Sequence, residues 1–188
     1  MSSANYDSAR GLANRFISMI QIPLSQGQVA LIDDTDWPLI SGYKWYSRWD
    51  NNPRSFYAIA NTKKPNGSKT TAQMHRLLLD AQPGQLVDHI NHDTLDNRRC
   101  NIRICTLSQN GQNRRQQRNN TSGYRGVWLD KRYQKWRAQI KINGKQIALG
   151  GYDTPELAFA AYLAASAKYH DPAFRNTGDE ECYMRLPL

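Results

Sequence analysis

The sequence has few of the features that mark secreted, membrane or zinc-binding proteins. Its three cysteines form no Cys-x-x-Cys pair and leave one cysteine over in any disulfide scheme, so neither a disulfide framework nor a structural zinc site is expected. No stretch approaches the roughly 18 apolar residues that cross a bilayer, and the first residues do not resemble a secretory signal. We therefore expect an intracellular, cytoplasmic protein with no membrane partner and no evident obligate protein partner.

Acidic residues are absent from one stretch, which carries most of the excess positive charge. The formal net charge is +9: residues 1–96 sum to zero, residues 97–118 carry six arginines and no acid, and residues 119–188 add +3. A guanidinium donates two parallel hydrogen bonds to phosphate oxygens and does not deprotonate near neutral pH, so this distribution favours nucleic-acid binding. A solvated basic linker is the alternative interpretation.

The first part of the chain predicts a small antiparallel sheet. Its predicted strands are short apolar or aromatic stretches at 28–32, 44–49 and 55–62. The composition of residues 71–81 predicts a helix that ends before Pro83-Gly84. Leu12, Phe16 and Ile20 have the spacing of one face of a further helix near the start of the chain.

The last third of the chain predicts a three-stranded antiparallel sheet packed on one helix. The predicted strands span 124–129, 135–142 and 146–149. Alternation in the second strand assigns Trp136, Ala138, Ile140 and Ile142 to one face and Arg137, Gln139 and Lys141 to the other. Asn143-Gly144 predicts a tight hairpin turn, and Thr154 followed by Pro155 predicts the start of the helix. The second face of the sheet is left exposed.

Between these parts lies a segment in which spacing suggests chemistry. Residues 86–90 and 102–105 predict two strands, and Thr106 with Gln109 forms a capping box that predicts a helix from Leu107. Gly111 weakens that helix by about 1 kcal/mol, so packing or a ligand must help to hold it. The polar run that follows predicts a boundary near residue 119 between two modules, 1–118 and 119–188.

The polar residues of this segment resemble the HNH endonuclease motif in its variant with asparagine in the last place. Asp88 and His89 are followed by Asn101, twelve residues after the histidine, and by Asn110, nine residues further on. In that family the motif is a hairpin and a helix around one divalent metal ion. The resemblance implies that His89 is the general base, that Asp88 and Asn110 bind the metal, and that Asn101 pins the loop and orients the histidine.

This resemblance fits the chemistry of phosphodiester hydrolysis. An imidazole is partly deprotonated near neutral pH and can accept a proton from water. One carboxylate and one amide oxygen favour Mg²⁺ or Mn²⁺. His75, on the predicted helix, is expected to be packed, whereas His92, in the loop, is an alternative that could reach DNA.

The wider segment 21–115 is similar to phage-type HNH homing endonucleases. The similarity lies in IPLSQGQVALID, in the KWY strand and in MHRLLL ahead of the VDHI segment. It implies a metal-dependent endonuclease acting on double-stranded DNA, located in the host cytoplasm if a phage encodes it. The fold class expected for the whole chain is α+β, with an HNH hairpin-helix motif at 86–115 in the first module.

Residues 122–176 resemble the DNA-binding domain of APETALA-type ethylene-response factors. The YRGV opening, the KWRAQI strand and the AxxAY helix pattern carry the resemblance. It implies that the exposed sheet face enters the major groove. Trp128 and Asp130 stand where that family usually has arginines, so the plant target sequence does not transfer. The DNA contacts predicted for the whole chain are Arg98, Arg99, Arg114, Arg115, Arg118, Arg125, Trp128, Arg137, Gln139, Lys141 and Gln146.

The sequence therefore predicts a DNA endonuclease, and two alternatives stay open. The chain could be a non-catalytic DNA-binding regulator in which the nuclease-like module is a scaffold. It could also bind or cleave RNA, because basic charge does not distinguish the two nucleic acids.

Overall fold

The computed structural model describes residues 18–52, 54–114 and 119–175, which form an α+β structure with four small antiparallel sheets. No helix in these ranges is long and apolar enough to cross a membrane. The fold class expected from the sequence is confirmed.

The first part of the chain builds two sheets and two short helices around one hydrophobic core. Strands β1 (Met19–Pro23) and β2 (Val29–Asp33) pair and lead into helix α1 (Trp37–Ile40). Strands β3 (Trp45–Asp50), β4 (Ser55–Lys63) and β5 (Lys69–Gln73) form the second sheet, which helix α2 (Met74–Leu78) follows. The buried core consists of Ile22, Ala30, Ile32, Ile40, Ala58, Met74, Leu78 and Ile102.

Two helices expected in this part are each wrong in part. The helix predicted over 71–81 begins only at Met74, because Thr71 and Ala72 pair as strand with Asn61 and Ala60 of β4. Threonine is β-branched and suits a strand at the edge of a sheet. Ile20, expected on a helix, lies in β1; the rest of that predicted helix lies outside the described residues.

The HNH-like segment forms a hairpin followed by a helix, as its spacing predicts. Strands β6 (Leu86–His89) and β7 (Ile102–Cys105) pair antiparallel, so that His89 lies opposite Ile102. Helix α3 (Leu107–Gln112) begins after the predicted capping box, in which the Thr106 and Gln109 side chains each bind the backbone N–H of the other. Because Ile102 belongs to the first core, the hairpin is attached to the upstream sheets.

The last part is the predicted sheet packed on one helix. Strands β8 (Val127–Asp130), β9 (Lys135–Ile142) and β10 (Lys145–Tyr152) are ordered β10-β9-β8, and helix α4 (Pro155–Tyr169) packs on one face. Asn143 and Gly144 both have positive φ, as the hairpin prediction requires. The second core consists of Val127, Ala138, Ile140, Ala158, Phe159, Tyr162 and Ala165. The boundary near residue 119 stays a prediction, since residues 115–118 lie outside the described ranges.

Gly126 in the YRGV segment provides a test of this packing. Its φ is +70°, and a Cβ there would lie 2.5 Å from the carbonyl oxygen of Gln139 and 2.6 Å from the Tyr162 ring. We expect Gly126→Ala to lower the free energy of unfolding of this part by about 3 kcal/mol or more, measured by urea denaturation.

Gly123→Ala is the matched control. Gly123 has a φ of +78° but nothing within 4 Å of an added Cβ, so the strained backbone alone should cost about 1 kcal/mol. Equal losses in the two variants would contradict the close packing of Gly126 against β9 and α4.

Candidate active site and nucleic-acid interface

His89 and Asp88 lie side by side at the end of β6, and both are buried. The exposed fraction is 5% for His89 and 7% for Asp88. Burial lowers the His89 pKa from its ordinary value, and the hydrogen bond with Asn97 and the nearby Asp88 oppose that shift only in part. The imidazole is therefore neutral near pH 7, which a general base requires.

The Asn97 side chain lies within hydrogen-bonding distance of the His89 ring, although the Asp96-Asn97 pair is typical only of a turn in the sequence. Its Oδ1 lies 3.4 Å from His89 Nε2, and its Nδ2 donates to the Leu95 carbonyl at 3.0 Å. Because the amide nitrogen is used by Leu95, the amide oxygen faces the ring and accepts from Nε2–H. This tautomer leaves Nδ1 of His89 as the basic nitrogen.

The loop between β6 and β7 is attached to both upstream sheets. The Asn97 backbone N–H donates to the Leu31 carbonyl at 2.8 Å, and the Arg99 backbone N–H donates to Asp33 Oδ2 at 2.8 Å. On the other side, Thr94 Oγ1 donates to the Phe56 carbonyl. The upstream sheets thereby hold Asn97 against the histidine.

The side chain of Asn101 binds the backbone of this loop on both sides. Its Nδ2 donates to the Asp96 carbonyl at 2.7 Å, and its Oδ1 accepts from the Asn91 backbone N–H at 2.9 Å. Asn101 is 5% exposed, so these bonds are shielded from water. Asn97 lies on the same loop and is within hydrogen-bonding distance of the imidazole, so an orienting role of Asn101 that acts through the loop stays a prediction.

The side chain that joins helix α3 to Asp88 is that of Asn113, not Asn110. Asn113 Nδ2 lies 3.1 and 3.0 Å from the two carboxylate oxygens and also within 3.2 Å of the His89 carbonyl oxygen. Asn113 is 3% exposed, whereas Asn110, one turn earlier, is exposed. In the sequence, an asparagine at the end of a helix is typical of a cap residue, and only the packing of α3 on β6 reveals the contact of Asn113.

Arg103 supplies the positive charge that compensates the buried Asp88 carboxylate. Its Nη2 and Nε donate to Asp88 Oδ2 at 2.7 and 3.0 Å, from the opposite position on the paired strand. The Arg103 side chain is 14% exposed, so the ion pair is largely shielded. The described residues contain no group of three His, Cys, Asp or Glu side chains that could hold a metal ion.

A second histidine packs against the candidate base. The rings of His75 and His89 are edge to face, with centroids 5.1 Å apart, and Tyr57 lies 5.5 Å from the His75 ring. Burial, with smaller contributions from His89 and Arg76, lowers the His75 pKa to about 3. His75 is therefore packed, as its position predicts, and stays neutral.

Two of the arginines predicted to contact DNA form ion pairs within the first part of the chain. Arg98 pairs with Asp96 at 2.7 Å, and Arg99 pairs with Asp36 at 2.8 Å. These pairs raise the pKa of both guanidinium groups. Arg114 is exposed, and the other two predicted contacts, Arg115 and Arg118, lie outside the described residues.

The exposed face of the C-terminal sheet carries five predicted contacts in one band. Cross-strand pairing joins Trp128 with Arg137, and Lys141 with Gln146, and Gln139 lies between the two pairs. Trp128 is 40% exposed, and Arg137 Nε lies 3.2 Å from Asp130 Oδ2. Arg125, the other DNA contact predicted in this part of the chain, turns toward α3, where its Nη1 donates to the Gln112 carbonyl at 2.7 Å.

Comparison with known proteins finds a family match in this part of the chain. Residues 122–171 match the AP2 domain family. An AP2-like ethylene-responsive transcription factor of Arabidopsis thaliana and an APETALA2-like protein of Oryza sativa are each 43% identical to the chain over 56 residues, or 30% of it. The chain spans only 12% and 13% of those plant proteins. The predicted resemblance is confirmed for this segment.

Similarity over a longer range is found with viral proteins. A protein of Acanthamoeba polyphaga mimivirus, named as an uncharacterized HNH endonuclease, is 27% identical over 143 residues, 73% of this chain and 68% of the viral protein. A protein of Escherichia phage T7, named Protein 3.8, is 32% identical over 63 residues, 34% of this chain and 52% of that protein. No solved structure matches the chain. The resemblance to an HNH endonuclease is thus confirmed at the level of sequence similarity.

His75 gives a prediction about acid stability. A pKa of about 3 in the folded state, against about 6.5 when unfolded, means that the unfolded chain binds a proton first as the pH falls. The stability that comes from keeping His75 neutral in the folded state is present above pH 6.5 and is lost as the pH falls toward 3. His75→Phe keeps a ring there and removes this titration. Between pH 7 and pH 5, the free energy of unfolding of this variant should therefore decrease by about 2 kcal/mol less than that of the parent chain.

Urea denaturation at the two pH values measures this difference. The same decrease in His75→Phe and in the parent chain would contradict the buried, neutral state of His75.

Proposed function

We propose that the chain is a metal-dependent endonuclease that cuts double-stranded DNA and binds it through its C-terminal sheet. The observation that carries the proposal is the arrangement around Asp88 and His89. The two buried side chains are adjacent on β6, and Asn113 joins the helix that follows the hairpin to the same carboxylate. The similarity to the viral protein named as an HNH endonuclease supports the same function.

In this proposal His89 accepts the proton of the attacking water. The Asn97 oxygen holds Nε2–H, so Nδ1 is the nitrogen that takes the proton. The lowered pKa keeps that nitrogen unprotonated at neutral pH. Asn101 and Asn97 keep the loop and the ring in place and are positioning residues.

The metal ligands proposed from the resemblance are Asp88 and Asn110, binding one Mg²⁺ or Mn²⁺. Carboxylate and amide oxygens suit these hard cations. Bound there, the ion would stabilise negative charge on the phosphate and on the leaving oxygen. The ion would share the Asp88 carboxylate with Arg103 and Asn113, while the exposed amide of Asn110 is the ligand that α3 offers to solvent.

DNA binding is proposed for the exposed sheet face of the AP2 segment. Lys141 and Gln146 are exposed side by side, and Trp128 offers an apolar surface beside Arg137. Lysine neutralises phosphate charge, and glutamine can pair with the edge of adenine. Arg114 extends the basic surface on the nuclease side.

Replacement of His89 tests the catalytic assignment. We expect His89→Ala to lower the rate of Mg²⁺-dependent nicking of supercoiled plasmid by about a hundredfold or more, with DNA binding retained in a gel-shift assay. The control, His92→Ala, changes the neighbouring loop histidine and should retain cleavage.

Unchanged cleavage by a purified His89→Ala variant would contradict the assignment. Tight binding by the parent chain with no strand scission in Mg²⁺ or Mn²⁺ would instead leave a DNA-binding regulator as its function. The second result would agree with an Asp88 carboxylate that is already satisfied by Arg103 and Asn113.

The two asparagines of α3 separate metal binding from positioning. We expect Asn110→Ala to raise the Mg²⁺ concentration needed for half-maximal cleavage about tenfold or more with unchanged stability. Asn113→Ala should instead lower the free energy of unfolding by about 1–3 kcal/mol, because Asp88 and the His89 carbonyl lose a buried donor. Mg²⁺ titrations and thermal unfolding measure both effects. A shifted Mg²⁺ dependence in Asn113→Ala with full stability would make Asn113 the ligand.

A further inference from the structure

Phe174 is buried without belonging to either hydrophobic core. It lies in a 3₁₀ turn (Pro172–Phe174) after α4 and is 8% exposed. The guanidinium carbon of Arg103 lies 3.9 Å from the centre of its ring, and Arg103 Nη1 also donates to the Ala173 carbonyl oxygen. Phe174 is therefore buried against Arg103 of the nuclease-like hairpin, about 70 residues away in the chain, while the rest of the turn is exposed.

Helix α3 contacts the same turn and the start of the sheet. Gln112 Oε1 accepts from the Asp171 backbone N–H at 3.0 Å, and the Gln109 amide lies 3.4 Å from Asp171 Oδ2. The Gln112 carbonyl accepts from Arg125 Nη1 at 2.7 Å. We call this set the module junction: Arg103, Gln109, Gln112, Arg125 and residues 171–174.

The contacts in the junction are directional and partly dry, as in a fixed interface. Gln112 is 9% exposed, and a buried amide is held in place by its hydrogen-bond partners. Arginine stacked on an aromatic ring adds a contact that lysine reproduces poorly. The same Arg103 binds Asp88, so the junction reaches the candidate active site through one side chain.

We propose that the module junction fixes where the strand is cut relative to the DNA held by the C-terminal sheet. This role in placing the cut rests on the proposed endonuclease function. The contact of residues 171–174 with α3 and Arg103, which we call the docking, does not depend on that function. Phe174 and Gln112 are then positioning residues: they keep the AP2 segment at one distance and orientation from His89.

Hydrogen exchange of the full chain tests the docking without any cleavage. In Phe174→Ala we expect amide exchange to become about tenfold faster or more in peptides covering both α3 and residues 171–175. Peptides covering β4 and α4 should exchange as in the parent chain, since each core is intact. Faster exchange confined to residues 171–175 would overturn the docking.

Tyr169→Ala is the matched control. Tyr169 is an aromatic residue of the same part of the chain, is 49% exposed and contacts Lys168 of its own helix. Its replacement should leave the exchange of α3 unchanged. Phe174→Leu keeps the apolar volume without the ring, so the exchange of α3 should become faster by an intermediate factor. If Tyr169→Ala speeds up the exchange of α3 as much as Phe174→Ala does, the specific role of Phe174 is overturned.

Mapping of cut sites tests the functional consequence. On DNA that carries one binding site, we expect the parent chain to cut at one position relative to its footprint. Phe174→Ala should give the same footprint but cuts spread over several nucleotides. An unchanged single position would overturn the positioning role. Absence of cleavage in both chains would contradict the proposed endonuclease, while the exchange experiment would still decide the docking.

Discussion

A single buried carboxylate, that of Asp88, connects most of what surrounds the candidate site. A charge with 7% exposure must be compensated, or burial becomes costly by several kcal/mol. The compensation comes from Arg103 on the next strand and Asn113 at the end of α3. These two partners fix the hairpin and the helix around the histidine, and they occupy the carboxylate on which the proposed metal site depends.

The hairpin relies on the sheets before it in the chain. Its loop has little regular structure, and its backbone groups are satisfied by β2 and by the loop's own asparagines. The Thr94 side chain adds a hydrogen bond to the Phe56 carbonyl of β4. Such hydrogen bonds replace a sheet ladder only where each partner is correctly placed. The contact between Asn97 and His89 is thus set by Leu31, nearly 60 residues before His89 in the chain.

Local signals in the sequence predicted the elements they control. The capping box at Thr106, the Asn143-Gly144 turn and the start of α4 at Thr154 all depend on residues within a few positions of each other. Thr71 was missed as strand because its partner on β4 lies ten residues away and its local composition favours a helix.

The same distinction applies to the candidate site. Asp88 and His89 were found because their spacing to the asparagines is a property of the sequence. The contacts of Asn97 and Asn113 were not, because an asparagine in a loop or at a helix end has an ordinary capping role. Only tertiary packing distinguishes these two residues from their many neighbours of the same type.

The ion pairs of Arg98, Arg99 and Arg103 change the meaning of the chain's positive charge. Each guanidinium is already paired with an aspartate, so it is less available to neutralise a phosphate group. Release of ions from the duplex upon association depends on cations that are free to replace them. The electrostatic share of any complex with a polyanion is therefore smaller than the six arginines of residues 97–118 suggest, and shape and base contacts must supply more of the affinity.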